Sequence, residues 1–306
     1  MVRIAYCLLV HKNPDQVKRL LQAIRHPGDR YYVNVFRARR RSARVPWEAA
    51  FTECRDMSVE VAYRYSSGWG NFNLVAATLD AMRFFQRTEY DLFVNLSGQC
   101  YPIKPAEGIR MPHEGGARTH MEYEGYPREA FTHGIDPISG RSYRKSELER
   151  FTHWNYRIAL REFGVVLKVP RWHKRLPEGL RPFRGSQWFY MKREHVNYVL
   201  EYLDRHPAVV RFFRRSSVPD DVFFQTVLLN SPHFSEVTNS WTRYVVFSGG
   251  RPKILTIDDL PQLLAAPYDY ARKFDLTVDP AVFDELDRRL REPQGAISSK
   301  PSTGSS

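Results

Sequence analysis

Long apolar runs and cysteines are both scarce in this 306-residue chain, and each shortage excludes a class of protein. No stretch approaches the roughly 18 consecutive apolar residues that a membrane-spanning helix requires. The opening residues MVRIAYCLLVHK lack a small-residue cleavage site, so they predict a buried strand and not a signal peptide. Cys7, Cys54 and Cys100 are too few and too scattered for a disulfide scaffold or a zinc site. We therefore expect a protein of the reducing cytoplasm.

Common catalytic signatures are missing as well. The chain contains no GxxxxGK(S/T) phosphate loop, no GxGxxG, no GxSxG elbow and no HExxH pair. It also lacks the D-x-D triplet that metal-dependent sugar transferases use to hold Mg²⁺ or Mn²⁺. Its Asp220-Asp221 and Asp258-Asp259 pairs have a different spacing. No metal site is therefore predicted.

Positive charge is what the chain has in excess. Its 46 lysines and arginines exceed its 34 acidic residues and give a net charge of +12. Arginines are concentrated in three runs, at 37–44, 171–184 and 211–215. This excess favours an anionic partner, such as a nucleic acid, an acidic membrane surface or a phosphorylated substrate. Solvated basic faces explain the charge equally well.

The periodicity at the start of the chain predicts a β-α-β unit. Residues 3–10 form an apolar strand, and residues 31–36 form the next one. Between them, Asn13 is predicted to cap a helix that has Pro14 in its first turn. The apolar face of this helix consists of Val17, Leu20, Leu21 and Ile24. Such a unit implies a parallel sheet.

The alternation continues with a helix at 73–87 and a strand at 91–96. Ligands in open α/β sheets bind beyond the carboxyl ends of the strands, so His11 and the loop 97–102 are expected on one rim. Further helices are predicted at 194–205, from Pro219 onwards, at 258–265 and at 280–291.

The rest of the chain has weaker patterns. Residues 105–185 are rich in glycine, proline, histidine and arginine, and they predict loops with short elements. We predict one α/β domain over residues 1–293 and a disordered tail at 294–306.

The Pro219-Asp220-Asp221 sequence places two carboxylates at a predicted helix start. Free N–H groups and the helix dipole are expected to keep both of them ionised. One aspartate is enough to cap the helix, so Asp221 is a candidate general base for an acceptor hydroxyl. Ordinary capping is the alternative interpretation.

Arg272 and Lys273 are the candidate anion-binding pair. Arginine supplies a bidentate fork and lysine a compact charge, and together they suit a leaving diphosphate. An exposed basic dipeptide is the alternative in a chain this basic.

Two glycine-containing segments are candidates for sugar contact. Gly185 predicts a close backbone approach, and Trp188 offers a flat surface for a sugar ring. Alternation along a strand predicts that one of Trp188 and Phe189 is a core residue instead. In Ser67-Gly68-Trp69-Gly70, the glycines either present Trp69 to a ligand or surround a buried anchor.

Seven stretches, taken in order, resemble the core-2/I-branching β-1,6-N-acetylglucosaminyltransferase and peptide O-xylosyltransferase family, glycosyltransferase family 14. Their order and approximate spacing hold from about residue 3 to residue 290. They are YCLLVHKNPDQVKRLLQAI, SGWGNFNLVAATLDAMRFF, YDLFVNLSGQCYPIKP, RGSQWFYMKREHVNYVL, VPDDVFFQTVLLNSP, TRYVVFSGGRPKILTIDDL and YARKFD.

The resemblance implies a GT-A-like single α/β domain that uses a UDP-sugar, carrying GlcNAc or a xylose-like sugar, and inverts the anomeric carbon. It also implies catalysis without a metal, with Arg272 and Lys273 in place of the cation and Asp221 where the branching enzymes keep an acidic base. The remaining residues expected around the nucleotide and sugar, by this matching or by their place on the rim, are Val10, His11, Ser67, Gly68, Trp69, Gln187, Trp188 and Arg251.

Three positions depart from the family pattern. Phe36 replaces part of a His-x-Asp element, Cys100 replaces the aspartate of an SGxD segment, and Gln187 replaces an aspartate of the xylosyltransferases. The donor sugar and the nucleotide base therefore stay open. A catalytically inactive or non-enzymatic binding protein for an anionic partner is the alternative function.

The expected partners are a nucleotide-sugar donor and a glycan, glycolipid or other hydroxyl acceptor. A nucleic acid is not expected, because the arginine runs lie in different elements and no nucleic-acid-binding motif occurs. The basic surface also allows peripheral contact with the anionic inner face of a membrane.

Overall fold

The computed structural model describes residues 1–66, 70–125, 176–214, 216, 218–248 and 251–291. The predicted site residues Ser67, Gly68 and Trp69, the predicted tail at 294–306, and residues 126–175 of the weakly patterned middle lie outside the described residues.

Fourteen strands occur in the described part of the chain. They are β1 (Ile4–Val10), β2 (Arg30–Val35), β3 (Val59–Ala62), β4 (Leu92–Ser97), β5 (Cys100–Pro102), β6 (Thr119–His120), β7 (Glu124–Gly125), β8 (Phe183–Arg184), β9 (Tyr190–Lys192), β10 (Val237–Thr238), β11 (Arg243–Val245), β12 (Phe247–Ser248), β13 (Arg251–Pro252) and β14 (Tyr270–Arg272).

Seven of these strands form a central sheet in the order β10-β6-β9-β4-β1-β2-β3. All of its pairings are parallel except the two that β9 makes, with β4 and with β6. A second sheet has the order β11-β14-β5. The mostly parallel central sheet confirms the predicted α/β class and is consistent with the GT-A-like fold that the resemblance implies.

The α-helices of the described residues flank this sheet. They are α1 (Pro14–Ala23), α2 (Arg41–Thr52), α3 (Asn73–Phe85), α4 (Ala106–Arg110), α5 (Arg193–Arg205), α6 (Pro207–Phe213), α7 (Phe223–Leu229), α8 (Leu260–Ala265) and α9 (Ala281–Arg291). None of them is both long enough and apolar enough to cross a membrane.

Strand β1 shows why both faces of the sheet are covered. All seven of its residues are buried, and successive side chains point to opposite faces. Ala5, Cys7 and Leu9 belong to the core that contains buried residues of α3, α5 and α7. Tyr6 and Leu8 belong to the core formed with α1, α2 and α9. A strand that is covered on both faces has a continuous apolar sequence, as β1 does.

The predicted β-α-β start is confirmed, because β1 pairs with β2 in parallel, and Val17, Leu20 and Leu21 of α1 are buried together with Ile24 directly after it. Asn13 holds the predicted N-cap position with Pro14 in the first turn, but its side chain does not cap the helix. Its backbone is left-handed, with φ of 55°. Its Nδ2 donates instead to Asp275 Oδ1 at 2.8 Å, because the loop after β14 brings that carboxylate to the start of α1.

Candidate active site

The carboxyl ends of β1 and β4 form the predicted rim. Val10 is fully buried, and its carbonyl accepts a hydrogen bond from Phe36 N–H at 2.8 Å. His11 follows it at the surface. The Gly98 N–H donates to the carbonyl of Leu9 at 3.2 Å, so the loop after β4 lies directly beside the end of β1.

Positive charge is concentrated on this rim. The pKa of His11 is lowered by partial desolvation of its ring and by the nearby charges of Lys12, Arg37 and Lys273. Lys12 contacts the Asp275 carboxylate, whereas Lys273 has no salt bridge to any described residue. The end of β1 is therefore surrounded by cations that exceed their local acidic partners.

Arg272 lies at the end of β14, between two neighbouring strands. It pairs with Cys100 of β5 on one side and with Val245 of β11 on the other. Its guanidinium carbon lies 4.8 Å from the centroid of the Trp188 ring, which is a cation–π contact. Among the described residues Arg272 has no salt bridge, and its buried Nε has no hydrogen-bond partner. This guanidinium is thus held in place by packing while its charge is left unpaired.

Burial lowers the pKa of both cations of the candidate anion-binding pair. For Arg272, the charge of Arg243 lowers the pKa further, while Cys100 and Asp221 oppose the shift. For Lys273, Arg272 and Lys12 add to the lowering. Two partly desolvated cations that repel each other are stabilised when an anion binds between them. The pair is suited to a diphosphate.

The two aspartates are not at an α-helix start. Pro219–Asp221 forms a single 3-10 turn, and α7 begins only at Phe223. Asp220 is 4% exposed, and its Oδ1 has no hydrogen-bond partner within the described residues. The predicted stabilisation of both ionised carboxylates by an α-helix dipole is therefore absent, and burial raises the pKa of each. Asp221 also raises the pKa of Asp220.

Asp221 and Arg272 lie within electrostatic reach of each other. Burial and the nearby Glu122 carboxylate raise the pKa of Asp221, and Arg272 opposes that shift. The structure therefore brings together the predicted base and one member of the anion-binding pair, which lie 51 positions apart in the chain. A carboxylate with a raised pKa beside an unpaired cation can accept a proton while an anion binds next to it.

Gly185 explains how the Asp221 turn is fixed. Its N–H donates to the Asp221 carbonyl at 2.8 Å. A Cβ at this position would lie 1.9 Å from the Glu122 carbonyl oxygen. The next residue, Ser186, donates its backbone N–H to the Glu122 carboxylate. The predicted close backbone approach is confirmed, and the neighbour is the chain itself.

Trp188 and Phe189 are both core residues, at 5% and 0% exposure. The prediction that strand alternation leaves one of them outside the core is wrong. Strand β9 begins only at Tyr190, so Trp188 and Phe189 precede the strand and its alternation does not apply to them. Trp188 thus supports Arg272 from inside the protein. The backbone N–H of Trp188 donates to Ser186 Oγ at 3.2 Å, and its backbone carbonyl accepts from Thr242 Oγ1 at 3.0 Å.

Gln187 and Arg251 occupy different environments. The Gln187 Oε1 is buried without a hydrogen-bond partner among the described residues. Arg251 is exposed on the β12–β13 hairpin. This hairpin leads to Lys253, two residues after Arg251, and the Lys253 carbonyl accepts the Lys273 N–H at 3.4 Å. The Ser67-Gly68-Trp69-Gly70 sequence ends at Gly70, whose carbonyl accepts from Val218 N–H at 3.3 Å, next to the aspartate turn.

Two residues of this site were not predicted from the sequence. Glu122 affects the pKa of Asp221, but no local pattern marks it. Asn95 is buried in β4 and holds the Gln187 segment, because its Nδ2 donates to the Gln187 carbonyl at 2.5 Å and its Oδ1 accepts from Phe189 N–H at 2.9 Å. A polar residue inside the apolar strand DLFVNL is a usable signal for such a role.

Comparison with known proteins gives concordant matches. The family model described as Core-2/I-Branching enzyme matches residues 4–263. Xylosyltransferase 1 of Rattus norvegicus is 28% identical over 318 residues, which cover 94% of this chain and 35% of that protein. Xylosyltransferase 1 of Homo sapiens is 27% identical over 319 residues, covering 94% and 30%. Xylosyltransferase 2 of Rattus norvegicus is 27% identical over 318 residues, covering 95% and 34%. The chain thus spans about a third of the length of these relatives.

Proposed function

Because the chain belongs to the Core-2/I-branching enzyme family, we propose that it transfers a sugar from a UDP-sugar to an acceptor hydroxyl, with inversion and without a metal ion. The electrostatic interaction between Asp221 and Arg272 is the observation that supports this proposal most directly. It joins a proton acceptor to an anion-binding group in one place. The names of the relatives favour a xylose donor, and the resemblance to branching N-acetylglucosaminyltransferases favours GlcNAc.

The proposed reaction is a direct displacement. The Asp221 carboxylate takes the proton of the acceptor hydroxyl as that oxygen bonds to the anomeric carbon. The bond between this carbon and the diphosphate oxygen breaks, and its electron pair leaves with UDP. Attack from the side opposite the leaving group inverts the anomeric centre. The proton on Asp221 then passes to solvent.

Arg272 and Lys273 take the role of a cation in this proposal. Both are partly desolvated, and neither has a salt bridge within the described residues. In such a site, fixed charges stabilise a leaving diphosphate more strongly than they would in water. The Trp188 ring holds the Arg272 guanidinium before the donor binds, so little ordering is required when it does.

The Asp221→Asn variant tests the base. It is nearly isosteric, so UDP binding measured by calorimetry is expected to persist while transfer falls by about 10²–10⁴-fold. Asp220→Asn is the matched control, since it makes the same change one residue away and is expected to keep transfer. If transfer survives Asp221→Asn, another residue is the base and the proposed mechanism is wrong.

The Lys273→Ala variant tests the anion-binding pair without disturbing the packed Arg272. It is expected to weaken UDP binding more than binding of uridine, because uridine lacks the diphosphate. An equal loss for both ligands would place Lys273 away from the diphosphate.

A sugar-binding protein without transfer activity is a second candidate function. It is favoured by Gln187, whose buried amide oxygen has no partner in the part of the chain that the structure describes, at the position where the resembling xylosyltransferases keep an aspartate. Thermal stabilisation by a UDP-sugar without any turnover across a panel of acceptors would support this candidate.

We further propose a cytoplasmic location with peripheral contact to anionic membranes. Arg37, Arg39, Arg40 and Arg41 are exposed beside the rim, and within the described residues they have no salt bridges. Sedimentation with phosphatidylserine vesicles, but not with phosphatidylcholine vesicles, is expected at low salt and should be lost at high salt.

A further inference from the structure

Three side chains of metal-binding type converge at the end of the central sheet away from the rim. His195 lies in the first turn of α5, and His233 and Glu236 lie in the chain that leads into β10. One ligand atom from each residue lies within 4.8 Å of the other two. They come from two segments about 40 residues apart, so only folding brings them together.

The pairwise distances are close to those of a filled site. His233 Nδ1 lies 2.9 Å from Glu236 Oε1, and His195 Nε2 lies 3.6 Å from Glu236 Oε2. Two ligand atoms that bind a tetrahedral Zn²⁺ at about 2.0–2.1 Å are separated by roughly 3.3 Å. Small side-chain movements are therefore enough to place an ion between the three residues.

The orientation of His195 is a second, independent observation. The residue is 0% exposed, and its Nε2 is buried without a hydrogen-bond partner among the described residues. Its other nitrogen, Nδ1, is 2.8 Å from Thr119 Oγ1, and that oxygen also accepts the Lys192 N–H at 3.1 Å. Metal-binding histidines have this arrangement, in which one nitrogen is held by a neighbour while the other faces the ion.

We propose that His195, His233 and Glu236 bind a divalent transition-metal ion of the Zn²⁺ class. Two imidazoles and one carboxylate are a ligand set that suits Zn²⁺. The side chains of His233 and Glu236 are 20% and 43% exposed, so the ion enters from solvent and a water molecule completes its coordination.

Lys192 is the competitor for this site. Its ammonium group contacts the Glu236 carboxylate, and it also lies 2.8 Å from Glu194 Oε2. Because Glu194 offers an alternative partner, the ammonium group can leave Glu236 when an ion binds. The positive charge nearby still opposes a cation, so removing it should strengthen metal binding.

The site is separate from the proposed transfer site. Lys192 pairs with Leu92 at the start of β4, and the rim begins at Ser97, five residues further along that strand. At about 3.3 Å per residue, this places the cluster roughly 16 Å from the rim. A bound ion would link the start of α5 to the segment before β10 and take no part in sugar transfer.

Titration of the untagged chain with Co²⁺ and Zn²⁺ tests the proposal. We expect one ion per chain by calorimetry and a visible Co²⁺ absorption band that Zn²⁺ abolishes. His233→Ala and Glu236→Gln each remove an accessible ligand and should weaken binding by at least about 100-fold. His206→Ala, which removes a histidine stacked on Tyr202, is the matched control and should bind as the unmodified protein does.

Lys192→Gln provides the decisive contrast. If the cluster is a metal site, this variant binds Zn²⁺ more tightly than the unmodified protein. Absence of stoichiometric binding by the folded protein would overturn the proposal. Equal affinity of the His233→Ala variant and the unmodified protein would do the same. Circular dichroism confirms that each variant is folded before its affinity is compared.

Discussion

Replacing Gly185 with alanine should disturb the candidate site through a single methyl group. The added Cβ would lie 1.9 Å from the Glu122 carbonyl oxygen and 2.7 Å from its carbon, whereas real Cβ contacts are essentially never below 3.0 Å. The two backbones must therefore separate by about 1 Å. No flexible side chain is available to absorb the movement, because both atoms belong to the backbone.

This separation acts on the proposed base. The Gly185 N–H donates to the Asp221 carbonyl at 2.8 Å, and Ser186 N–H donates to the Glu122 carboxylate. A shift of about 1 Å in a catalytic geometry can cost about 10²-fold in rate. Overpacking of this kind also costs typically about 1–3 kcal/mol of stability, or several degrees in Tm for a chain of this size.

We expect Gly185→Ala to lower kcat for transfer by about 100-fold while UDP affinity changes little, because Arg272 and Lys273 lie on a different element. Transfer kinetics, UDP calorimetry and thermal unfolding measure the three quantities. Ser186→Ala is the control, since it removes only the 3.2 Å bond from Trp188 N–H and adds no atom. A Gly185→Ala variant with unchanged Tm and unchanged transfer would show that the close approach does not constrain the site.

Three further outcomes are expected. Glu122→Gln removes a negative charge that raises the pKa of Asp221, so the acid limb of kcat/KM should move to lower pH; a limb that stays in place would exclude Asp221 as the titrating base. Asp220→Asn should raise Tm at neutral and alkaline pH but not near pH 3. Burial raises the pKa of Asp220 in the folded state, so ionisation of this carboxyl at higher pH destabilises the folded protein, and asparagine removes that cost. A lower Tm of the variant at pH 8 would contradict this. Excess EDTA should leave kcat unchanged, although it lowers Tm if the His195 cluster is filled; loss of transfer that Mn²⁺ restores would contradict metal-free catalysis.

The central sheet was predictable because burial on both faces leaves a strong local signal. The apolar runs of β1 and β4 and the periodic faces of α1 and α5 each lie within about a dozen residues. Such segments have only one way to remove their apolar surface from water. The predicted helix at 194–205 is confirmed as α5 for this reason, and its Val196, Val199, Leu200 and Leu203 are buried.

The predicted capping interactions are absent where a distant segment competes for the local group. Asn13 belongs to a sequence that is typical of a helix start, yet its side chain binds Asp275, more than 260 residues away. The aspartate pair likewise resembles a pair of exposed capping residues. Its carboxylates are instead enclosed by other elements, and desolvation of a carboxylate outweighs what a short turn can offer.

In the candidate site, too, some features were predictable from the sequence and others depend on the folded structure. The residue types of Asp221, Arg272 and Lys273 indicated a base and an anion-binding pair, because those functions depend on charge and functional group. The contribution of Glu122 and the stacking of Arg272 on Trp188 had no counterpart in the sequence. Both depend on which backbones approach each other across the two sheets.

By itself, the sequence determined the β1-α1-β2 start, the α3-β4 unit, the family resemblance and the chemical character of the proposed site. Only the tertiary structure decided the protonation tendency of the aspartates, the support of Arg272 and the convergence of His195 with His233 and Glu236. The physical reason is the distance along the chain over which each effect acts. Propensity and periodicity act between neighbours in the chain, whereas desolvation and charge coupling depend on atoms that only the folded chain brings within a few ångströms.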